Sequence, residues 1–284
     1  MSYGEKHSII ITENTLKEYL DILEIKGVCD DWKYSVERCI LQPFLQYVHW
    51  QTNLGETLEY LKILMKKHKL SYYRKHVYQI RKFLEYHGVE WAIKLNPPAE
   101  PECIPKHMTL DTIKDALSYF GNHEYFKQIK AIILLGCSSG MRAEELYQLT
   151  PEDIDIPNRV VRINHNPDNG QSTKTKRSRV SFFNSETKEA LVDYLSFYND
   201  KKNLKCLFNQ WHIERIFRTT PFHVKDLRKF FSQEWDRRGG PTSIKKILMG
   251  HSLKGDVDLM HYNCQSEEDL KKIYDKVMGG IASV

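Results

Sequence analysis

The sequence predicts a mainly α chain with a small β-sheet: an all-helical domain followed by an α+β domain. Three observations carry this prediction. Apolar residues recur at helical spacing through most of the chain, a proline-rich stretch interrupts them near residue 100, and only two short β-rich runs occur, on either side of a turn-forming segment. A length of 284 residues is enough for two domains, each burying its own core.

Leu16, Tyr19, Leu20 and Leu23 mark a first helix, and Val36, Ile40, Phe44, Leu45 and Val48 a second. A third carries Leu58, Leu61, Ile63, Leu64 and Met65, and a fourth carries Val77, Ile80, Phe83 and Leu84. Gly88 suits the left-handed residue that closes such a helix. This bundle defines a domain at 1–95. The segment NPPAEPECIP (96–105) holds four prolines, which lack the amide donor that helix interiors need, so a linker is placed at 96–108 and a second domain at 109–284. There, Ile129, Ile132, Ile133 and Leu135 predict a buried helix stopping near Gly136. CSSG reads as a turn, and a new helix is expected from Met141 through Leu149. Thr150-Pro151 is a cap followed by proline at a first helical position. The runs RVVRIN (159–164) and RVSFF (179–183) flank NPDNGQS and predict a hairpin or small sheet. Helices resume at Ser185, and Ser266 caps a last one ending near Gly279.

Hydrophobic residues make up 41% and charged residues 28%, the balance of a soluble globular protein. No apolar run approaches the ~20 residues of a membrane-spanning helix, and the first residues lack the pattern of a secretory signal. The expected location is therefore cytoplasmic, with no membrane partner. Cysteines at 29, 39, 103, 137, 206 and 264 form no C-x-x-C pair, and no metal site is expected. No glycine-rich phosphate loop is present, so no nucleotide or other cofactor is expected.

The net charge of +5 is modest, but its distribution is informative. From Lys62 to Lys82 there are eight Lys or Arg and no Asp or Glu, and a second basic run, KTKRSR, spans 174–179. A single charge run is commonly just a solvated face; two acid-free runs in separate domains favour a phosphate-rich partner. Lys66, Lys67, Lys69, Arg74, Lys75, Arg81, Lys176, Arg177 and Arg179 are the candidate contacts to its phosphates, the DNA-binding set if that partner is DNA.

Five short motifs follow in order: SSGMRAEELYQLTPEDID, the KTKRSR turn, KDLRKFF, LMGHS and LMHYN. Each alone is commonplace, but in this order the set resembles the catalytic domain of the tyrosine recombinase (integrase) family, which includes lambda integrase and the Xer proteins. The resemblance implies that Arg142 and Arg228 are the catalytic arginines, with Glu145 supporting Arg142. It also implies that Lys174 is the β-turn lysine, with Lys176 its rival, that Lys225 and His251 complete the pocket, and that Tyr262 is the nucleophile. Lys225 stands where many members have histidine, which implies an archaeal or archaeal-virus relative. The stretch between His251 and Tyr262 is longer than is usual in the family. Residues 62–95 resemble the core-binding helical domain only loosely.

These residue types suit phosphoryl transfer without metal. Charge spreads over the non-bridging oxygens, where guanidiniums fit as planar, permanently charged donors. A tyrosine phenol forms a covalent 3′-phosphotyrosine, and a lysine on a mobile β-turn among other cations suits the protonation of the departing 5′-oxygen. Lys225 and His251 would donate to the scissile phosphate, and His251 would help to orient or deprotonate Tyr262. The expected function is site-specific recombination, integrating or excising a mobile element. The alternatives are a type IB topoisomerase-like nicking-closing enzyme and a catalytically silent DNA-binding relative. A homo-tetramer on paired DNA sites is the expected assembly, and the last helix is open to two arrangements, exchange between protomers or packing on its own domain.

Overall fold

The computed structural model describes residues 9–102, 104–196, 205–252 and 265–280. The chain divides into two compact units, residues 1–104 and 105–284, and the division falls among the prolines.

The first unit contains β1 (Ile9–Ile10), α1 (Glu13–Ile25), α2 (Asp30–Tyr34), α3 (Gln42–Tyr47), β2 (Gln51–Thr52), α4 (Leu54–Lys67) and α5 (Leu70–Tyr86). Thr12 and Thr15 exchange side-chain and backbone hydrogen bonds at the head of α1, serving two groups that a first turn leaves unpaired. Between α2 and α3 the backbone winds as a π-helix over Ser35–Leu41. Pro43 has no N–H to offer the carbonyl of Cys39, and Nε2 of His76 on α5 lies 3.2 Å from that oxygen. The core comprises Leu16, Tyr19, Val36, Ile40, Phe44, Leu61, Val77, Ile80 and Phe83, among others, the apolar faces read from the periodicity. On α4 the stripe through Thr57, Tyr60, Leu61 and Leu64 faces the core and leaves Leu58 and Met65 exposed. Gly88 adopts positive φ (75°) just beyond α5.

The second unit contains α6 (Leu110–Tyr119), α7 (Phe126–Ser139), α8 (Ala143–Tyr147), β3 (Ile154–Asp155), β4 (Val160–Ile163), β5 (Arg179–Phe182) and α9 (Ser185–Ser196). These are followed by α10 (Gln210–Phe217), α11 (Val224–Arg237), α12 (Thr242–Met249) and α13 (Glu267–Met278). The sheet is antiparallel in the order β3-β4-β5, with Val161 opposite both Ile154 and Ser181. β3 adds a strand to the predicted hairpin; at two residues it is too short to leave a periodicity.

Two helix ends differ from expectation. α7 does not stop near Gly136 but runs through Cys137, Ser138 and Ser139 to a left-handed Gly140 (φ 66°). Gly136 instead marks a crossing: a Cβ there would lie 2.6 Å from Leu227 Cδ1 on α11. α8 is also shorter than the Met141–Leu149 helix expected, because Arg142 acts as its N-cap, its amide bonded to the Glu145 side chain. α7 is buried along its length and forms the spine of the main core, against which α9 and α11 pack. α13 packs on its own unit, joining Phe182, Phe231, Trp235, Ile244 and Leu248 in a second core, and its Tyr274 hydroxyl donates to the carbonyl of Ser138 at 2.9 Å.

Candidate active site

Four segments of the second unit converge on one cleft. The turn after α7 leads to Arg142 at the head of α8; α11 carries Arg228 near its start; α12 ends at Gly250 with His251 next; and the loop between β4 and β5 brings in Lys174 to Arg177. Arg142, Lys174, Lys176, Arg177, Arg228 and His251, with Thr175 and Ser252, line a cleft of about 690 Å³.

Two of the three cleft arginines, Arg142 and Arg228, are held by backbone oxygens from distant parts of the chain. Arg228 Nη1 donates to the carbonyls of Gly140 and Met249, both at 2.7 Å. Arg142 Nη2 donates to the carbonyl of Gly250 at 2.9 Å, and its Nη1 to Glu145 Oε1 at 2.8 Å. A guanidinium has five N–H donors, so these bonds fix the plane of each group and engage only part of its fork. Burial and the neighbouring charge of Arg142 bring Arg228 down to about 10, which still leaves it charged at neutral pH. Burial, then the charges of Arg228 and Arg142, lower His251 from its ordinary value and so favour the neutral imidazole.

Glu145 is 3% exposed and accepts four hydrogen bonds. Two come from Arg142, its amide and Nη1, each at 2.8 Å. The other two come from Arg179, Nη1 at 3.0 Å and Nη2 at 2.6 Å. Burial by itself would raise the carboxyl pKa; the hydrogen bonds and charge of Arg179, with those from Arg142, outweigh it and hold the group at about 2. The expectation that Glu145 anchors Arg142 thus has a geometric basis, with a second arginine in the arrangement.

That second arginine corrects an expectation. The basic run KTKRSR puts Arg179 among the expected DNA-contacting cations, but its side chain is only 8% exposed, forks onto Glu145 and donates Nε to the carbonyl of Leu248 at 2.9 Å. It sits at the first position of β5, and its neighbour Gly250 has positive φ (64°), where a Cβ would come within 2.7 Å of the guanidinium. Glycine is required there on both counts.

Lys225 is exposed on α11 and borders an adjoining hollow of about 380 Å³ with Glu144, Tyr147, Glu214, Arg218 and His223, rather than the arginine cleft. Tyr262 lies outside the described residues. Tyr274, the next tyrosine, is fully buried, its pKa raised by that burial, and its hydroxyl is occupied by Ser138. In the first unit the basic run divides. Lys66, Lys67 and Lys69 are exposed around the end of α4. Arg74 pairs with Glu100 at 3.3 Å, Arg81 with Glu85 at 2.7 Å, and the Lys75 ammonium lies 4.1 Å from the Trp32 ring centroid. Among the described residues no group of three or more His, Cys, Asp or Glu is placed to hold a metal ion. No helix among them is long and apolar enough to cross a membrane.

Sequence reasoning missed the carbonyls of Gly140, Met249 and Gly250. Backbone oxygens have no residue-type signature, and only the two glycines flanking Met-Arg and His hinted at tight turns there.

The mainly helical fold with a small antiparallel sheet, and the cleft of fixed guanidiniums with a lysine turn and a histidine, fit a chain of the tyrosine recombinase (integrase) class. The chain belongs to the phage integrase family, whose model matches residues 106–268. It is 30% identical over 268 residues to the tyrosine recombinase XerC of Thermodesulfovibrio yellowstonii, covering 89% of this chain and 79% of that one. To the tyrosine recombinase XerA of Thermococcus onnurineus it is 25% identical over 184 residues, 64% of this chain and 61% of that relative, so this match spans less than two thirds of the relative's length. Its fold is similar to that of a lambda integrase tetramer bound to a Holliday junction, with a TM-score of 0.63, 11% identity, and coverage of 89% of this chain and 79% of that one.

Proposed function

We propose that this protein is a site-specific recombinase that cuts and rejoins double-stranded DNA through a 3′-phosphotyrosine on Tyr262, integrating or excising a mobile element. The observation that carries this reading is the convergence of Arg142 and Arg228, each locked by carbonyls from another segment, on one cleft with His251 and Lys174. Preorganised donors of this kind stabilise charge as it develops on a phosphate in transfer, without reorganising at the moment of reaction.

In this reading the Tyr262 oxygen attacks phosphorus, forming a P–O bond to the phenol as the bond to the 5′-oxygen breaks. The phenolic proton passes to the neutral His251, and Lys174 gives a proton to the 5′-oxygen. Lys225 approaches the phosphate from the adjoining hollow, and Glu145 keeps Arg142 in place. A 5′-hydroxyl from the second site reverses the step and joins the new strands. Lys66, Lys67, Lys69, Lys176 and Arg177 contact the DNA backbone, the 1–95 domain acts as the core-binding part, and the working assembly on paired sites is a tetramer, by analogy with lambda integrase on a Holliday junction. The protein acts where its DNA is, in the cytoplasm.

Incubating the protein with a pool of duplexes randomised around a nick, recovering covalent adducts and mapping the modified peptide tests this reading. The expected result is a 3′-phosphotyrosyl bond at Tyr262, lost in Tyr262→Phe while DNA binding persists. An adduct of undiminished yield in Tyr262→Phe would overturn the assignment. Exchange between two captured sites, rather than simple relaxation, distinguishes recombination from nicking and closing.

A further inference from the structure

The loop that presents Lys174 is held at its base by a buried polar network. Asp153 is 5% exposed and accepts from the Thr150 amide and hydroxyl at 2.9 Å each, from Asn164 Nδ2 at 2.7 Å and from Gln171 Nε2 at 2.7 Å. Asn166 and Gln171 pair through their backbones across the loop, at 2.7 and 3.1 Å. The Ser172 amide then donates to Gln148 Oε1 at 2.8 Å, and the Thr173 amide to His165 Nδ1 at 3.1 Å. Thr173, also 5% exposed, closes the tip with one hydroxyl: it donates to the Arg177 carbonyl and accepts from the Arg177 amide, each at 3.0 Å. Lys174 follows at once and is exposed in the cleft.

Gln148 and Arg142 are the two caps of the same short helix, α8. The lysine turn therefore rests on the element that also sets an arginine of the cleft. A buried carboxylate with four donors is strongly determined in position, because each partner lost would leave an unpaired buried group.

From this we infer that Thr173, Asp153 and Gln148 are positioning residues for proton delivery: they register the Lys174 turn against Arg142, so that the ammonium meets the departing 5′-oxygen. The inference rests on the general-acid role of Lys174. General acids act only within hydrogen-bond reach, and a misplacement of about 1 Å costs as much as roughly 100-fold in rate.

The test compares ordinary DNA with DNA carrying sulfur at the 5′-bridging position of the scissile phosphate, in the duplex recovered by covalent capture. A thiolate leaves without an acid. Thr173→Val is expected to slow cleavage of ordinary DNA by about 10- to 100-fold and to cleave the sulfur substrate near the wild-type rate, with Thr173→Ser restoring ordinary cleavage. Gln148→Ala, which removes an acceptor from a half-exposed site and leaves the core intact, is expected to show the same pattern more weakly, and keeps the test valid if Thr173→Val does not fold. Lys174→Ala sets the reference. If it is rescued by sulfur while folded Thr173→Val and Gln148→Ala are slow on both substrates, these residues are structural only and the inference is wrong. If Lys174→Ala is itself equally slow on both substrates, the general-acid reading fails and takes the positioning role with it.

Discussion

Glu145 shows how one buried side chain organises a cationic site. Two guanidiniums and an amide converge on it, so its carboxyl titrates near 2 in the folded chain against an ordinary 4.5. A depressed folded pKa means that the stabilisation is complete above about pH 4.5 and is lost as pH falls toward 2, a contribution on the order of 3 kcal/mol. Wild-type protein should therefore lose stability across that window more steeply than Glu145→Gln, as denaturant unfolding at stepped pH would show; parallel curves would contradict the pairing. At neutral pH Glu145→Gln leaves Arg179 buried beside a neutral partner and should destabilise by about 3–5 kcal/mol. Arg228→Ala, which removes a donor from the cleft, is expected to cut single-turnover cleavage by roughly two to three orders of magnitude. That Arg142, Arg228 and His251 belong together was legible from motif order. That Arg179 serves Glu145 rather than DNA was not, because a basic run looks the same whether its last member points outward or inward.

At the scale of elements, glycines decide how closely helices and turns approach. Gly136 lies where α7 crosses α11, and Gly136→Ala should cost about 1–3 kcal/mol by overpacking against Leu227. Combining it with Leu227→Ala should give a clearly non-additive double-mutant cycle, since the added methyl enters space the leucine vacates; additive losses would show that the two do not share a contact. Gly250→Ala combines left-handed strain of roughly 1–2 kcal/mol with displacement of the Arg179 guanidinium. Its cleavage rate should fall at least about tenfold while the second unit remains folded by circular dichroism. The helices themselves were readable from apolar spacing. Their ends were less so: a glycine in sequence does not say whether it is left-handed, like Gly140, or helical and tightly packed, like Gly136.

For the molecule as a whole, the proposed DNA binding rests on where the exposed cations lie. Lys66, Lys67 and Lys69 are exposed at the end of α4, whereas Arg81 is engaged by Glu85. Each phosphate contact contributes about 0.9 to the slope of log K against log salt. Replacing the three lysines by alanine should flatten that slope by roughly 2 to 3, and Arg81→Ala should change it by much less, measured by fluorescence anisotropy over a salt series. An unchanged slope for the triple variant would remove this surface from the DNA interface.

The sequence by itself determined the class of fold, the helical faces that form each core, and the cationic residue types suited to holding a phosphate, since periodicity and side-chain chemistry are local properties. Only the tertiary structure decided that Arg179 turns inward to Glu145 while Arg142 pairs with Glu145 and still faces the cleft, and how the Lys174 turn is tied through Gln148 and Asp153 to the helix of Arg142. Those outcomes depend on carbonyls and carboxylates brought together from segments up to 108 residues apart, as between Arg142 and Gly250, and no local pattern encodes such a meeting.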